Sequence, residues 1–396
     1  MALWQYHGKS IGIFICAALD GAGSECKPNR TVPGRTHCKR KDKLITSEPT
    51  ELKSRVINGA GEISTNQAVT NNKIDATPEN PSETHNHNDV ASDEIRKLAH
   101  RHQISNKPGR NLQLMSNLKQ QSVRIKQAFQ HYQERAGEDS FLPYEAEWLL
   151  DNYYLVQQVL RQIEEDMPEG YYRQLPKLIG GDLAGLPRIF AVAAKIIELS
   201  TVTTTPTLLA TWIDAYQQVS PLTMGELWAF PTMLRMALID ALALALAHTS
   251  QQLPASEGNE ETLVRLPQTM APENIVAHAI PSLRMLNTMT WQTFFEEASL
   301  VEQELRRDPA GVYPQMDFET RNQYRNQIEA LARNKTIHGE KVSEVQIAQV
   351  AIECARRGML YATQSQRSAH VGYYLIDQGR SELEEALGIR PAWHKR

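Results

Sequence analysis

The sequence predicts an all-α fold: a multi-helix domain of two related helical halves, preceded by a disordered amino-terminal tail and linker. Three observations predict it. From about residue 111 onward apolar residues recur at helical spacing, as in Leu149, Tyr153, Val156, Leu160 and Ile163, which lie 4, 3, 4 and 3 positions apart and form one face of a helix. Helix-start signals recur along the same stretch. No run alternates with period 2 for long enough to make a strand.

At 396 residues the chain has room for two or three domains of ~150 residues, or for one large helical one. Apolar residues make up 41% and charged residues 22%, ordinary globular values that exclude collagen-like, mucin-like and wholly disordered chains. The net charge of −4 gives no case for nucleic acid as a partner. Charge is unevenly divided: residues 1–110 carry 16 Lys/Arg against 12 Asp/Glu, and residues 111–396 carry 26 against 34.

A membrane span needs ~20 consecutive apolar residues. The closest candidate, Leu227 to Ala247, contains Pro231, Arg235 and Asp240. Each charge at the centre of a lipid-exposed helix costs roughly 2.5–3.5 kcal/mol, so a buried core helix is the expected reading. Four cysteines are too few for a disulfide framework, and Cys354 sits on an apolar helical stripe, so a reducing compartment is expected. Ile11 to Leu19 looks like a short signal-peptide core, but no clean cleavage site follows it.

Residues 1–53 mix Gly, Pro and Cys with the basic run Lys39-Arg40-Lys41-Asp42-Lys43 and show no period. From Asn58 to Asn88 the composition is Asn, Thr, Ser, Glu and Pro, which cannot bury enough apolar surface to offset ordering entropy. Residues 1–110 are therefore expected to be tail and polar linker, and residues 111–396 the helical body. Cys26, His37 and Cys38, and the pairs His85/His87 and His100/His102, lack the paired spacing of a zinc site, so no metal is assigned.

Pro143 opens the first clear helix of the body. Thr205-Pro206 reads as N-cap and N1. Thr223 with Glu226 and Ser343 with Gln346 are capping boxes, and Asp317 opens a helix carrying Phe318, Tyr324, Ile328 and Leu331. About ten helices are expected.

Within this body the pattern L-V-x-Q-x-L-R occurs twice, at Leu155 to Arg161 and at Leu300 to Arg306. Each copy is followed by P-x-G-x-Y-x-Q and an apolar residue: Pro168, Gly170, Tyr172, Gln174 and Leu175, then Pro309, Gly311, Tyr313, Gln315 and Met316. A helix that stops, turns on glycine and docks a tyrosine accounts for the pattern. Tyr172, Gln174, Tyr313 and Gln315 are thus candidate structural or contact residues, and the two halves are expected to share a core.

No G-x-S-x-G, P-loop, G-x-G-x-x-G or H-E-x-x-H occurs. Glu226, beside Trp228, could serve as a catalytic carboxylate, but its capping role competes. Arg235 and Asp240 are expected to meet partners on other helices. The aromatic pairs Tyr153-Tyr154, Tyr171-Tyr172 and Tyr373-Tyr374 could stack on sugar rings, though adjacent aromatics on a helix are more often one core and one rim residue. No catalytic or cofactor-binding residue is assigned.

Five long words, WLLDNYYLVQQVLRQIEEDMPEGYYRQLPKL (148–178), PRIFAVA (187–193), AYQQVSPLTMGELWAFPTMLRMALI (215–239), WQTFFEEASLVEQELRRDPAGVYPQMDFETRNQYR (291–325) and AHVGYYLIDQGRSELEEALGIRP (369–391), cover most of residues 140–391. In them the chain resembles the amino-terminal region of bacterial cyclic β-1,2-glucan synthases, ahead of the membrane spans. The resemblance implies a system that uses UDP-glucose to build and cyclise β-1,2-glucan. The transfer motifs D-x-D and Q-x-x-R-W are absent from this sequence. The chain is accordingly expected to be a non-catalytic cytosolic part of such a synthase, truncated or separately encoded, with no cofactor of its own. It would act as scaffold or docking surface at the inner-membrane face. Expected partners are the membrane and glycosyltransferase portions and β-1,2-glucan. The alternative is a stand-alone glucan-active or glucan-binding helical protein.

Overall fold

The computed structural model describes residues 81–105, 112–137, 141–200, 205–249, 263–267, 270–334, 336–337, 340–360 and 366–389. Of the disordered tail and linker expected over residues 1–110, residues 1–80 and 106–110 lie outside the described residues, as do Cys16, Cys26 and Cys38. The described chain is predominantly helical, as the spacing predicts, with two-residue antiparallel strand pairs at 104–105 with 177–178 and at 336–337 with 340–341. It holds α1 (Pro81–Arg101), α2 (Gln113–Ala136), α3 (Tyr144–Asp166), α4 (Glu169–Gln174), α5 (Arg188–Leu199), α6 (Pro206–Gln217) and α7 (Met224–Thr249). After these come α8 (Pro272–Thr288), α9 (Trp291–Ala298), α10 (Leu300–Leu305), α11 (Phe318–Asn334), α12 (Glu344–Leu360), α13 (Val371–Ile376) and α14 (Arg380–Ala386). The excess over ten comes from short helices of six to eight residues, α4, α9, α10, α13 and α14.

The helices form two groups. In the first, α7 is the hub, packed by α2, α3, α5 and α8, while α1 lies on α6 and α5. In the second, α12 is the hub for α10, α11, α13 and α14. Helix α9 touches α6, α7 and α10 and links the groups. One copy of the sequence repeat falls in each group, the first on α3–α4 and the second from α10 to the 3₁₀ turn Tyr313–Gln315.

The local rules explain why these segments are helices and where they face. Helix α2 buries Leu114, Leu118, Gln121, Ile125, Ala128 and Tyr132, a stripe at i+3/i+4 spacing. On α3 the buried stripe runs through Leu149, Val156 and Ile163, with Tyr153 and Leu160 half-buried beside it. Helix α7 is apolar on every side and passes the length and hydropathy test for a membrane crossing. However, 94% of that apolar window is buried against neighbouring helices.

Four predicted helix starts are made as hydrogen bonds. Leu208 N donates to Thr205 Oγ1 (3.2 Å), and Thr320 N donates to Asp317 Oδ1 (2.9 Å). In both capping boxes the bonds are reciprocal: Glu226 N to Thr223 Oγ1 (3.2 Å) and Thr223 N to Glu226 Oε2 (2.9 Å), then Gln346 N to Ser343 Oγ (3.2 Å) and Ser343 N to Gln346 Oε1 (3.0 Å).

The ordered body begins upstream of the boundary expected at residue 111. Helix α1 buries Ala91, Ser92, Ile95 and Ala99 against its neighbours. The segment after it pairs antiparallel with the segment after α4, Ile104 opposite Leu178 and Ser105 opposite Lys177. Small residues carry most of this face, so a polar composition concealed a packing surface. His102, at its end, contacts Tyr216 Oη through Nδ1 (2.8 Å), and burial, with Arg188 and Arg101 nearby, pushes its pKa down to about 4.

Candidate functional site

Each singled-out residue has a definite place. Glu226, in the first turn of α7, is fully buried and doubly committed. Besides capping its own helix it receives Arg188 Nε at Oε1 (2.8 Å) and Arg188 Nη2 at Oε2 (2.5 Å), a two-point pair whose side chains are 1% and 0% exposed. The rest of the guanidinium donates to Ser220 Oγ (2.8 Å) and Pro221 O (3.0 Å). Burial opposes the charge on Arg188, but Glu226 outweighs it and raises its pKa. A carboxylate so engaged has no lone pair directed at a substrate.

Trp228, two residues further along, stacks on Phe295 (3.9 Å between centroids) and meets Phe318 edge-on. Arg235 lies in the middle of α7. It donates to Asn287 Oδ1 and Leu286 O (both 3.1 Å), with Asp166 at 4.0 Å. Asp240 accepts from Asn117 Nδ2 (2.6 Å). Both core charges thus meet partners on other helices. Burial pushes Arg235 down to about 10 despite Asp166, and raises Asp240 to about 7.

The two repeat tyrosines are both fully buried but have different surroundings. Lys177 Nζ sits 3.5 Å above the Tyr172 ring and donates to Tyr172 O (2.8 Å). With no carboxylate beside it among the described residues, this buried lysine is driven down to about 7 by desolvation. Tyr313 Oη donates to Glu302 Oε2 (2.7 Å). The glutamines diverge too. Gln315 is exposed and closes its own turn on Gly311 O (3.0 Å), where Gly311 takes φ +64°. Gln174 lines a cavity. Of the aromatic pairs, Tyr171 and Tyr172 are both core. Tyr374 is core beside a half-buried Tyr373, and Tyr154 is exposed beside a Tyr153 stacked on Phe129.

Glu302 was not among the residues singled out from sequence. It sits at the first of the two variable positions of the second repeat, where the first copy carries Gln157. It is fully buried, and receives Arg325 Nη1 at Oε2 (2.6 Å), Arg306 Nε at Oε1 (3.0 Å) and Arg321 Nη1. Burial pushes its pKa up, but the Tyr313 hydroxyl and the arginines outweigh that and hold it below the usual range. The spacing of Arg321 and Arg325, one helical turn apart, was a usable signal for this cluster. Beside it Asp308 accepts from His370 Nδ1 (2.8 Å) and Val371 N (2.9 Å), fastening α13 to the second repeat turn.

The cavity has a volume of about 350 Å³ and lies among α4, the start of α7, the end of α11 and the start of α12. Tyr171 and Gln174 face it from α4, Glu329 and Arg333 from α11, and Glu344 from α12. Arg188 forms part of its wall, and of the residues named from sequence Tyr171, Gln174 and the capping residues Thr223 and Ser343 come together here, whereas Glu226, paired with Arg188, does not line it. Trp228, Arg235, Tyr313 and Gln315 are absent from its lining. Glu344 is buried and accepts from Met224 N (2.7 Å). Burial, reinforced by Glu329 and Glu226, raises its pKa to about 8. Among the described residues no group of three His, Cys, Asp or Glu is placed to hold a metal ion.

No protein-family profile matches the chain. Among curated proteins it is similar to the cyclic beta-(1,2)-glucan synthase NdvB of Rhizobium meliloti. The two are 26% identical over an alignment of 316 residues, which covers 62% of this chain and 11% of the synthase. The resemblance carried by the long sequence words is therefore upheld: the chain is related to one region of a cyclic β-1,2-glucan synthase and spans about a tenth of that protein's length.

Proposed function

We propose that this helical body is a non-catalytic part of a UDP-glucose-dependent system for cyclic β-1,2-glucan synthesis. It serves as a scaffold or docking surface for the membrane and glycosyltransferase portions, on the cytoplasmic side of the inner membrane. The similarity to a region of a glucan synthase carries the reading. The chemistry of the body supports it: Glu226 and Glu302, its most deeply buried carboxylates, are held by guanidinium groups, and Arg235 by backbone and amide oxygens. Such groups fix helices relative to one another and present a rigid surface.

Co-purification tests this role. The tagged chain, expressed with the membrane portion of a related synthase, is expected to retain that portion through detergent extraction and washing. Elution of the chain alone would count against it. A second reading, glucan binding, is favoured by the cavity at Gln174.

A further inference from the structure

We propose that the cavity between α4, α7, α11 and α12 is a binding site for a short neutral glucoside, of roughly one or two pyranose rings. The choice of a glucoside rests on the assignment of the chain to a glucan-synthesis system; the existence and polarity of the site rest on its walls.

Its volume of about 350 Å³ falls at the small end of the ~300–1,000 Å³ typical of small-molecule sites. The walls are of the mixed kind that sugar rings require. Leu175, Pro176, Leu222, Val342 and Val345 offer apolar surface to the C–H faces of a ring. Polar groups are set among them: the exposed amide of Gln174, Ser343, the Glu329–Arg333 pair and Glu344. Gly225 keeps the space open. A Cβ there would meet only ordinary contacts, 3.7 Å from Glu329 Oε1 and 3.9 Å from Tyr171 Cε2. Tyr171 Oη donates to Gly225 O (2.5 Å) and fixes that side of the cavity.

Charge selects against an anion such as a sugar phosphate. Arg188 spends its guanidinium on Glu226, Ser220 and Pro221. Arg333 is paired with Glu329. Neither cation is left for a phosphate, and the Glu329 carboxylate on the wall repels one. Glu344 faces Glu329 and Arg333 on α11 and Glu226 on α7. Its raised pKa keeps it a neutral acid at pH 7, with an O–H to offer a sugar hydroxyl.

Calorimetric titration of the full chain with the β-1,2-linked glucose disaccharide sophorose, and separately with glucose 1-phosphate, tests the site. Sophorose is expected to bind saturably at pH 6.5 and the phosphate at least about tenfold more weakly. Gly225→Leu, which fills the cavity, should abolish sophorose binding. Gln174→Ala and Arg333→Ala, at exposed positions, should each weaken it severalfold with the helical circular-dichroism signal unchanged. If Gly225→Leu fails to fold, the two rim variants carry the test. Three results would overturn the proposal: no saturable heat from the wild-type chain, equal or tighter binding of the phosphate, or affinity unchanged in all the folded variants. The co-purification result is independent, so a failed titration with intact co-purification removes the sugar site and leaves the scaffold reading standing.

Discussion

Arg188 and Glu226 meet through two hydrogen bonds, 2.8 and 2.5 Å long, with both side chains at most 1% exposed, so α5 and α7 are locked by a charge pair sealed from water. Removing one member leaves the other charged and buried. Glu226→Ala is expected to cost about 3–5 kcal/mol in urea unfolding, and Arg188→Met with Glu226→Leu together much less. Equal losses in the single and double variants would mean that the pair is not an electrostatic unit.

The repeat tyrosines should separate by chemistry and agree by volume. Tyr313→Phe deletes a hydrogen bond to the buried carboxylate of Glu302 and should cost about 1.5–3 kcal/mol. Tyr172→Phe keeps the ring under Lys177 and should cost less than ~1 kcal/mol. Replacing either by Ala should cost on the order of 3 kcal/mol, since both rings are fully buried. Thermal shifts near zero for the Ala variants would place the rings at the surface.

Asp240 makes stability depend on pH. Its pKa is raised from 3.8 to about 7, so the folded state holds a proton that the unfolded state gives up across that window. Its contribution is fully present below pH 3.8 and is lost as pH rises to about 7. Asp240→Asn keeps an acceptor for Asn117 and does not titrate. Its melting temperature relative to wild type should therefore climb between pH 4 and 7 and level off above. A difference flat across that range would mean that Asp240 is ionised in the fold.

The capping box on α12 gives a local test. Ser343→Ala removes the acceptor for Gln346 N and should cost about 1 kcal/mol. An unchanged denaturation midpoint would show that α12 is held by packing alone.

These features differ in how far they could be read from sequence. The helix starts at Thr205, Thr223, Asp317 and Ser343 were legible because each needs only residues three apart, and the α3 stripe because it repeats along one segment. Arg306 lies four positions from Glu302, but Arg321 and Arg325 come from 19 and 23 positions downstream on another helix, so their one-turn spacing marked a basic pair without tying it to Glu302. Helix α1 was hidden because Ala91, Ser92 and Ala99 bury little area each and follow a polar run. The cavity gathers residues from Ile104 to Val345; Tyr171, Gln174, Leu175, Thr223 and Ser343 among them were marked, by an aromatic pair, the repeat and the capping boxes, but nothing local joined them into one site. That repeat overstated the likeness of its copies: Gln174 faces the cavity while Gln315 closes its own turn.

Incorporation of labelled glucose from UDP-glucose into β-1,2-glucan tests the central claim most directly. The assay compares the purified chain, membranes carrying a synthase deleted for the matching region, and the two combined. No glucan is expected from the chain alone, little from the membranes, and recovery on mixing. Glucan made by the chain alone, or no recovery on mixing, would contradict it.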